Sequence, residues 1–315
     1  MMTNSRFAAN WTKWTATAFP LRALLVGAAC ATPLVAAPPP AQTPTDIVNA
    51  APAAAWRPIP ADDLLLIDFD GGGRSIIQLA PDFAPVHAAN IRAFARGGYW
   101  SNATVYRVQD NYVTQWGTND EAKGLPSGVT AKPPREYERP LAGLSLRPLG
   151  YPDSYAPRVG YWRGWPVAWD PRRGRANLTH CYAMVGVGRD LYPDTGAAGE
   201  LYTVIGQATR QLDRNIALVG RVVEGMELLS ALPRGTEALG MYRAGTFARR
   251  IREVRLATQL PEADRPTFQY LDERSPTFSA YLAKRANRKD PFYEVPLGGV
   301  DLCNAPVPVR RTAAR

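Results

Sequence analysis

Apolar residues come in short blocks along most of the chain. "DLLLIDFD" and "RSIIQLA" are two apolar runs on either side of Gly71, Gly72 and Gly73. Glycine supplies the positive φ angles of a tight reversal, so the pair predicts a β-hairpin. The period then changes. In "APVHAANIRAFARGG", Pro85 suits a first helical turn, Gly97 suits a stop, and Val86, Ala89, Ala93 and Phe94 share a face. Asn90 falls on that face, where a buried amide needs backbone partners. "TVYRV" and "YVTQWG" predict two strands joined by the polar corner "QDN".

Residues 119–178 lose this regularity. They are crowded with Pro, Gly, Arg, Tyr and Trp, most densely in "GYWRGWPVAWDPRRGR", and read as a long insertion rather than a separate domain. Order returns with "CYAMVGVG", "GELYTVIGQ" and "IALVGRVV" as candidate strands, "EGMELLSAL" as a helix stopped by Pro233, and "RRIREVRLA" as an alternating last strand. This order fits an antiparallel barrel or sandwich carrying two helices. Beyond Thr258, Ser275 as cap and Pro276 in the first turn predict one helix in a C-terminal extension, 259–315. No internal repeat, phosphate-cradling glycine loop or "GxSxG" elbow is found.

The N-terminal segment calls for a different reading. Arg6, Lys13 and Arg22 precede "ALLVGAACATPLVAA", the layout of a secretory signal peptide over residues 1–36, with small residues at a cleavage point near Ala36. The apolar run is short for a membrane span, so no stable span is expected after cleavage. A signal anchor, or a lipid anchor on Cys30, is the minor alternative, and a periplasmic address the main expectation. Residues 37–61 are Pro- and Ala-rich and read as a linker, which starts the folded part near Asp62.

Composition narrows the chemistry. The net charge falls from +9 to +6 once the three basic residues of 1–36 are removed, and no basic block interleaved with aromatics suggests a nucleic-acid face. Two cysteines, Cys181 and Cys303, remain beyond the signal. They either pair, in an oxidising compartment, or stay as two buried thiols. His87 and His180 are the two histidines, and no Cys or His spacing suits a metal site.

Four ordered stretches, "PVHAANIRAFARGGYW", "VYRVQDNYVTQWG", "GELYTVIGQ" and "LDRNIALVGRVVEGMELL", resemble the cyclophilins, a family of peptidyl-prolyl cis-trans isomerases. The resemblance covers residues 64–118 and 181–256. It implies a mainly β fold, a closed eight-stranded antiparallel barrel with two capping helices, spanning 62–258 and interrupted by the insertion. It also implies Arg107 as the catalytic residue, with Gln115 binding the substrate backbone and orienting Arg107. Tyr112, Val113 and Leu212 would form a proline pocket, joined by Tyr202.

Departures from the family pattern are marked. Gln211 stands where many cyclophilins carry a tryptophan, and Ile216 where a histidine often lines the other wall. Leu201, Tyr202 and Thr203 replace the family's Gln-Phe-Phe, so either Thr203 or, after a slip of register, Tyr202 faces the groove. Gly186 replaces a backbone-binding asparagine. Weak cyclosporin affinity is expected from these changes. The activity implied needs no cofactor and no metal, acts on proline-containing polypeptide clients in the envelope, and is that of a monomer. The rival reading is a weak or inactive cyclophilin-like module that binds Pro-rich or unfolded clients. Trp162, Trp165 and Trp169 are read as covering one side of the barrel, ahead of a role in envelope attachment.

Overall fold

The computed structural model describes residues 42–118, 123–207 and 209–312. The predicted signal segment lies outside the described residues. From the N-terminal side come helix α1 (Pro44–Asn49), β1 (Trp56–Pro58), the hairpin β2 (Leu64–Phe69) and β3 (Arg74–Leu79), helix α2 (Pro85–Arg96), β4 (Thr104–Val108) and β5 (Val113–Gly117). The insertion holds β6 (Arg139–Pro140), β7 (Arg147–Pro148), β8 (Arg158–Trp162), β9 (Trp165–Asp170) and β10 (Arg175–Leu178). Next are β11 (Met184–Val187), β12 (Leu201–Val204), β13 (Leu218–Glu224), α3 (Glu227–Ser230) and β14 (Arg249–Leu256). The extension adds β15 (Phe268–Leu271), α4 (Pro276–Ala286) and β16 (Val309–Arg311).

Eight strands close the barrel in the order β11-β12-β5-β4-β14-β2-β3-β13, all neighbours antiparallel. Leu65, Ile67, Phe69, Ile77, Trp116, Leu201 and Val219 fill it, with Ile91 and Phe94 of α2 and Leu229 of α3 packed into the same core. The buried face of α2 is turned from the one its apolar spacing suggested. His87, Ala88, Asn90, Ile91, Phe94 and Ala95 are buried, whereas Ala89 is exposed. The rotation follows from polar partners. Asn90 exchanges hydrogen bonds with the Thr130 backbone and donates to Ala197 O, while Glu136 accepts from the Val86 and His87 amides at the open helix start.

Two further layers cover the barrel, and both correct the sequence reading. The insertion is not irregular: its strands form a five-stranded antiparallel sheet, β6-β10-β9-β8-β7. Along β9, Trp165, Val167 and Trp169 pack with Val113, Tyr202 and Leu218 of the barrel, while Ala168 faces Phe278, Tyr281 and Leu282 of α4. Both faces are therefore buried, and the period of two disappears into a continuous apolar run. The linker is folded as well. Thr43 and Asp46 form a capping box for α1, with Pro44 in the first turn. β1 then pairs with β15 in a three-stranded sheet, β1-β15-β16. Phe268 of that sheet and nearby Ile59 cover Leu64 and Leu66 on the outer face of β2.

Covalent and ionic ties fasten these layers. Cys181 and Cys303 form a disulfide across 122 residues of sequence, with Cα atoms 5.0 Å apart. Buried Glu273, after β15, accepts hydrogen bonds from the backbone N–H groups of Arg163 (2.7 Å) and Gly164 (3.0 Å). These two residues turn the β8–β9 hairpin with φ of 48° and 79°, as a two-residue reversal requires. Arg221 of β13 donates to Gly164 O at 2.7 Å and to Gln78 Oε1, and stacks over Trp165. Burial pushes its guanidinium down to about 10, which leaves it charged at neutral pH. Among the described residues no helix is long and apolar enough to cross a membrane.

Glu273→Ala strips a buried carboxylate from two backbone donors. It is expected to lower unfolding free energy by about 3 kcal/mol, read from urea denaturation. An unchanged midpoint and slope would show that the turn needs no such anchor.

Candidate active site

β4 carries a bulge. Val105 lies opposite Trp116 and Arg107 opposite Gln115, so Tyr106 is the extra residue. In a regular strand Tyr106 and Arg107 would point to opposite faces. Here the bulge brings both within reach of the Gln115 side chain. Arg107 NH1 donates to Gln115 Oε1 at 3.0 Å, and Gln115 Nε2 donates to the Tyr106 hydroxyl at 2.6 Å. That hydroxyl donates in turn to Glu200 Oε2 at 2.6 Å. Burial, then the nearby Glu200 charge, pushes the Tyr106 phenol well up, so it stays a proton donor. The chain from Glu200 thus fixes which end of the Gln115 amide meets the guanidinium.

Two more acceptors complete the grip on Arg107. NH2 donates to Gln109 Oε1 at 2.5 Å and Nε to Leu239 O at 2.8 Å. Leu239 belongs to a loop that runs along β4 where β14 has left it, and bridges it at Arg107 and Met241. The approach is close: a Cβ on Gly240 (φ +73°) would fall 2.5 Å from the Gln109 Cα. All three acceptors are neutral, and among the described residues Arg107 makes no ion pair. A guanidinium has five N–H donors, so two remain for a ligand.

Those donors border a hollow of about 130 Å³ whose walls are Tyr112, Val113, Tyr202, Leu212 and Ile216, with Gln115, Val187, Gly188 and Arg189 at its edge. Tyr112 lies beside Arg107, the guanidinium carbon 5.6 Å from its ring centre. Leu212 ends a 3-10 turn, Thr209–Leu212. The combination is a mixed socket, with aromatic and aliphatic walls that suit a ring or branched side chain and a positively charged donor beside them.

The structure places the predicted residues unequally. Arg107, Tyr112, Val113, Gln115, Tyr202, Leu212 and Ile216 meet around the hollow. Leu201 and Thr203 do not: they pair with Trp116 and Thr114 and are fully buried, Leu201 within the barrel core. Tyr202, opposite Gln115, is the residue that faces the groove. Gly186 contacts no ligand space either. A Cβ there would lie 2.3 Å from both Cζ and the hydroxyl of Tyr202, so the missing side chain is the room the tyrosine ring occupies. Gln211 is exposed and not part of the wall.

Sequence reasoning missed the parts that position these groups. Gln109 carried a signal, two residues beyond Arg107 on the same strand edge. Leu239 carried none, because its contribution is a backbone carbonyl. No group of three or more His, Cys, Asp or Glu is placed to hold a metal among the described residues.

Barrel order and site geometry agree with the comparison to known families. The description "Cyclophilin type peptidyl-prolyl cis-trans isomerase/CLD" matches residues 64–258, well over half of the chain. The chain belongs to the cyclophilin family. It is accordingly a peptidyl-prolyl cis-trans isomerase. Among solved structures, the cyclophilin AquaCyp293 from Hirschia baltica is similar in fold, with a TM-score of 0.65 at 22% identity, over 82% of this chain and 94% of that one. A cyclophilin-type isomerase from Cryptosporidium parvum, crystallised in the presence of the dipeptide Ala-Pro, is more distant: TM-score 0.38, 13% identity, 61% of this chain and 98% of that one. Nothing among curated protein sequences matches.

Gly186→Ala pushes a methyl group into Tyr202 and the ring into the hollow of this cyclophilin. It is expected to weaken binding of a proline-containing peptide about tenfold in calorimetry. Wild-type affinity would remove Tyr202 from the binding surface.

Proposed function

We propose that this cyclophilin isomerises Xaa-Pro bonds of exported polypeptides, with Arg107 as its catalytic residue and the adjoining hollow as its proline pocket. An amide resists rotation by ~18–20 kcal/mol because the nitrogen lone pair is delocalised, while cis and trans forms before proline differ by only about 0.5–1 kcal/mol. No bond needs to be made or broken. The site has to hold the twisted amide more tightly than either planar form.

Twisting localises the lone pair on the prolyl nitrogen and makes it an acceptor. The two uncommitted N–H groups of Arg107 supply a charge-assisted bond to it, or to the neighbouring carbonyl, while Tyr112, Val113, Leu212, Tyr202 and Ile216 hold the ring. Neutral acceptors favour this role, since a carboxylate paired with Arg107 would compete for the same donors. The observation that carries the reading is a guanidinium with no carboxylate partner among the described residues, at the rim of a hollow walled by Tyr112, Val113, Tyr202, Leu212 and Ile216.

Export is supported by two features. The N-terminal 36 residues have the pattern of a signal peptide, and the Cys181–Cys303 bond belongs to compartments where thiols oxidise. Clients are then envelope proteins with slow prolyl steps.

In a protease-coupled assay on a proline-containing tetrapeptide, Arg107→Ala is expected to lower kcat/KM by about 10²–10³. Equal rates in both proteins would overturn the assignment of Arg107. N-terminal sequencing of the protein recovered from its native cell envelope is expected to begin near residue 37. An intact Met1 on a cytosolic protein would refute export.

A further inference from the structure

Behind Tyr202 runs a chain of buried polar groups that the rotation chemistry does not use. The Tyr202 hydroxyl lies 2.8 Å from His180 Nε2, and His180 Nδ1 lies 2.9 Å from Asp213 Oδ1, which also accepts from the His180 backbone N–H at 2.9 Å. Arg210 Nε donates to Asp213 Oδ2 at 2.6 Å, and its two terminal nitrogens donate to both oxygens of Asp153 at 2.9 and 3.0 Å. Every side chain in the chain is at least nine-tenths buried: 4% exposed for Tyr202, 1% for His180, 9% for Asp213, 3% for Arg210 and 2% for Asp153.

Such a chain is costly unless every group is satisfied, and here each is. Burial works against the Arg210 charge, but its bonds to Asp153 and Asp213 outweigh this and hold it above the usual range. Asp213 therefore faces a fixed cation on one side and fixes the imidazole on the other. A carboxylate at Nδ1 places the ring proton there and leaves Nε2 to accept from Tyr202. Hydroxyl, imidazole and carboxylate come in the order of an activated nucleophile. Attack is excluded by position: the hydroxyl is packed against Gly186 and His180, and burial raises its proton affinity further.

What remains is orientation. We propose that His180 is a positioning residue for the proline pocket, and that the insertion, through Asp153, is a working part of that pocket. Asp153 lies in the insertion, and Arg210 and Asp213 bracket Leu212 on its turn. One chain thus sets both Tyr202 and the turn that carries Leu212. The Thr209 hydroxyl adds a bond to His180 O at 2.9 Å, and the disulfide at Cys181 anchors the next residue. The pocket keeps an aromatic wall where the family's phenylalanine is replaced, and the hydroxyl converts that wall from a packed ring into a pinned one.

This inference rests on the pocket assignment above, and the test separates the two. Tyr202→Phe keeps the ring and removes only the hydroxyl; Asp153→Asn removes the distal charge. Each is expected to raise KM for the tetrapeptide about tenfold while kcat stays within about twofold, since the lost interaction acts on ring placement and not on the twisted amide. His87 and His180 are the two histidines of the chain, so long-range proton–nitrogen NMR spectra with His87→Gln as reference isolate the His180 ring. Its signals are expected to show the Nδ1-protonated tautomer and to shift on adding the tetrapeptide, with the shift lost in Tyr202→Phe. Wild-type KM in Tyr202→Phe, or a His180 ring unmoved by the peptide, overturns the proposal even if Asp153→Asn fails to fold. An active Arg107→Ala in the same assay would instead overturn the catalytic assignment.

Discussion

Three parts of the chain meet at one two-residue turn, Arg163 and Gly164. A buried carboxylate from the extension takes its two N–H groups and a buried guanidinium from the barrel takes its carbonyl. Opposite charges sit on opposite sides of a dipole that fits between them, so neither is left uncompensated in a dry interior. Because the turn is fixed, β8 and β9 are held against the barrel wall that contains Val113, Tyr202 and Leu218. The position of the β8–β9 hairpin follows from that fixed point.

The barrel was legible because its strands are cut by strong punctuation. Gly71 to Gly73, Pro85 and Gly97, and the corner before Tyr112 mark ends that local chemistry alone dictates. What hid the other layers is burial on two sides. β9 alternates faithfully between the barrel and α4, yet both environments demand apolar residues, so Trp165, Val167, Ala168 and Trp169 read as an unpatterned run. Leu64 and Leu66 carried the complementary clue: outward-facing leucines on β2 implied a cover, and the cover was β15 and its neighbours. The linker was misjudged from composition, although the Thr43–Asp46 spacing and Pro44 already described a capped helix.

In the candidate site, the side chains that line the hollow were the readable ones, because the family motif carries them. Arg107, Gln115 and the apolar walls come together as the motif implied. The register on β12 was not readable, since Tyr202 and Thr203 are each acceptable on a strand; Gly186 decides it by vacating the space for the larger ring. Leu239 and His180 act through a carbonyl and through another side chain. Neither function constrains residue type strongly enough to stand out in a single sequence.

Order of synthesis gives the C-terminal cover one more consequence. β1 waits for β15, Leu64 and Leu66 wait for Phe268, and Cys181 waits for Cys303. A chain emerging N-terminus first therefore displays this apolar surface until more than two hundred further residues have been made. Completion is a late event, and during that interval this isomerase is itself a candidate for chaperone protection.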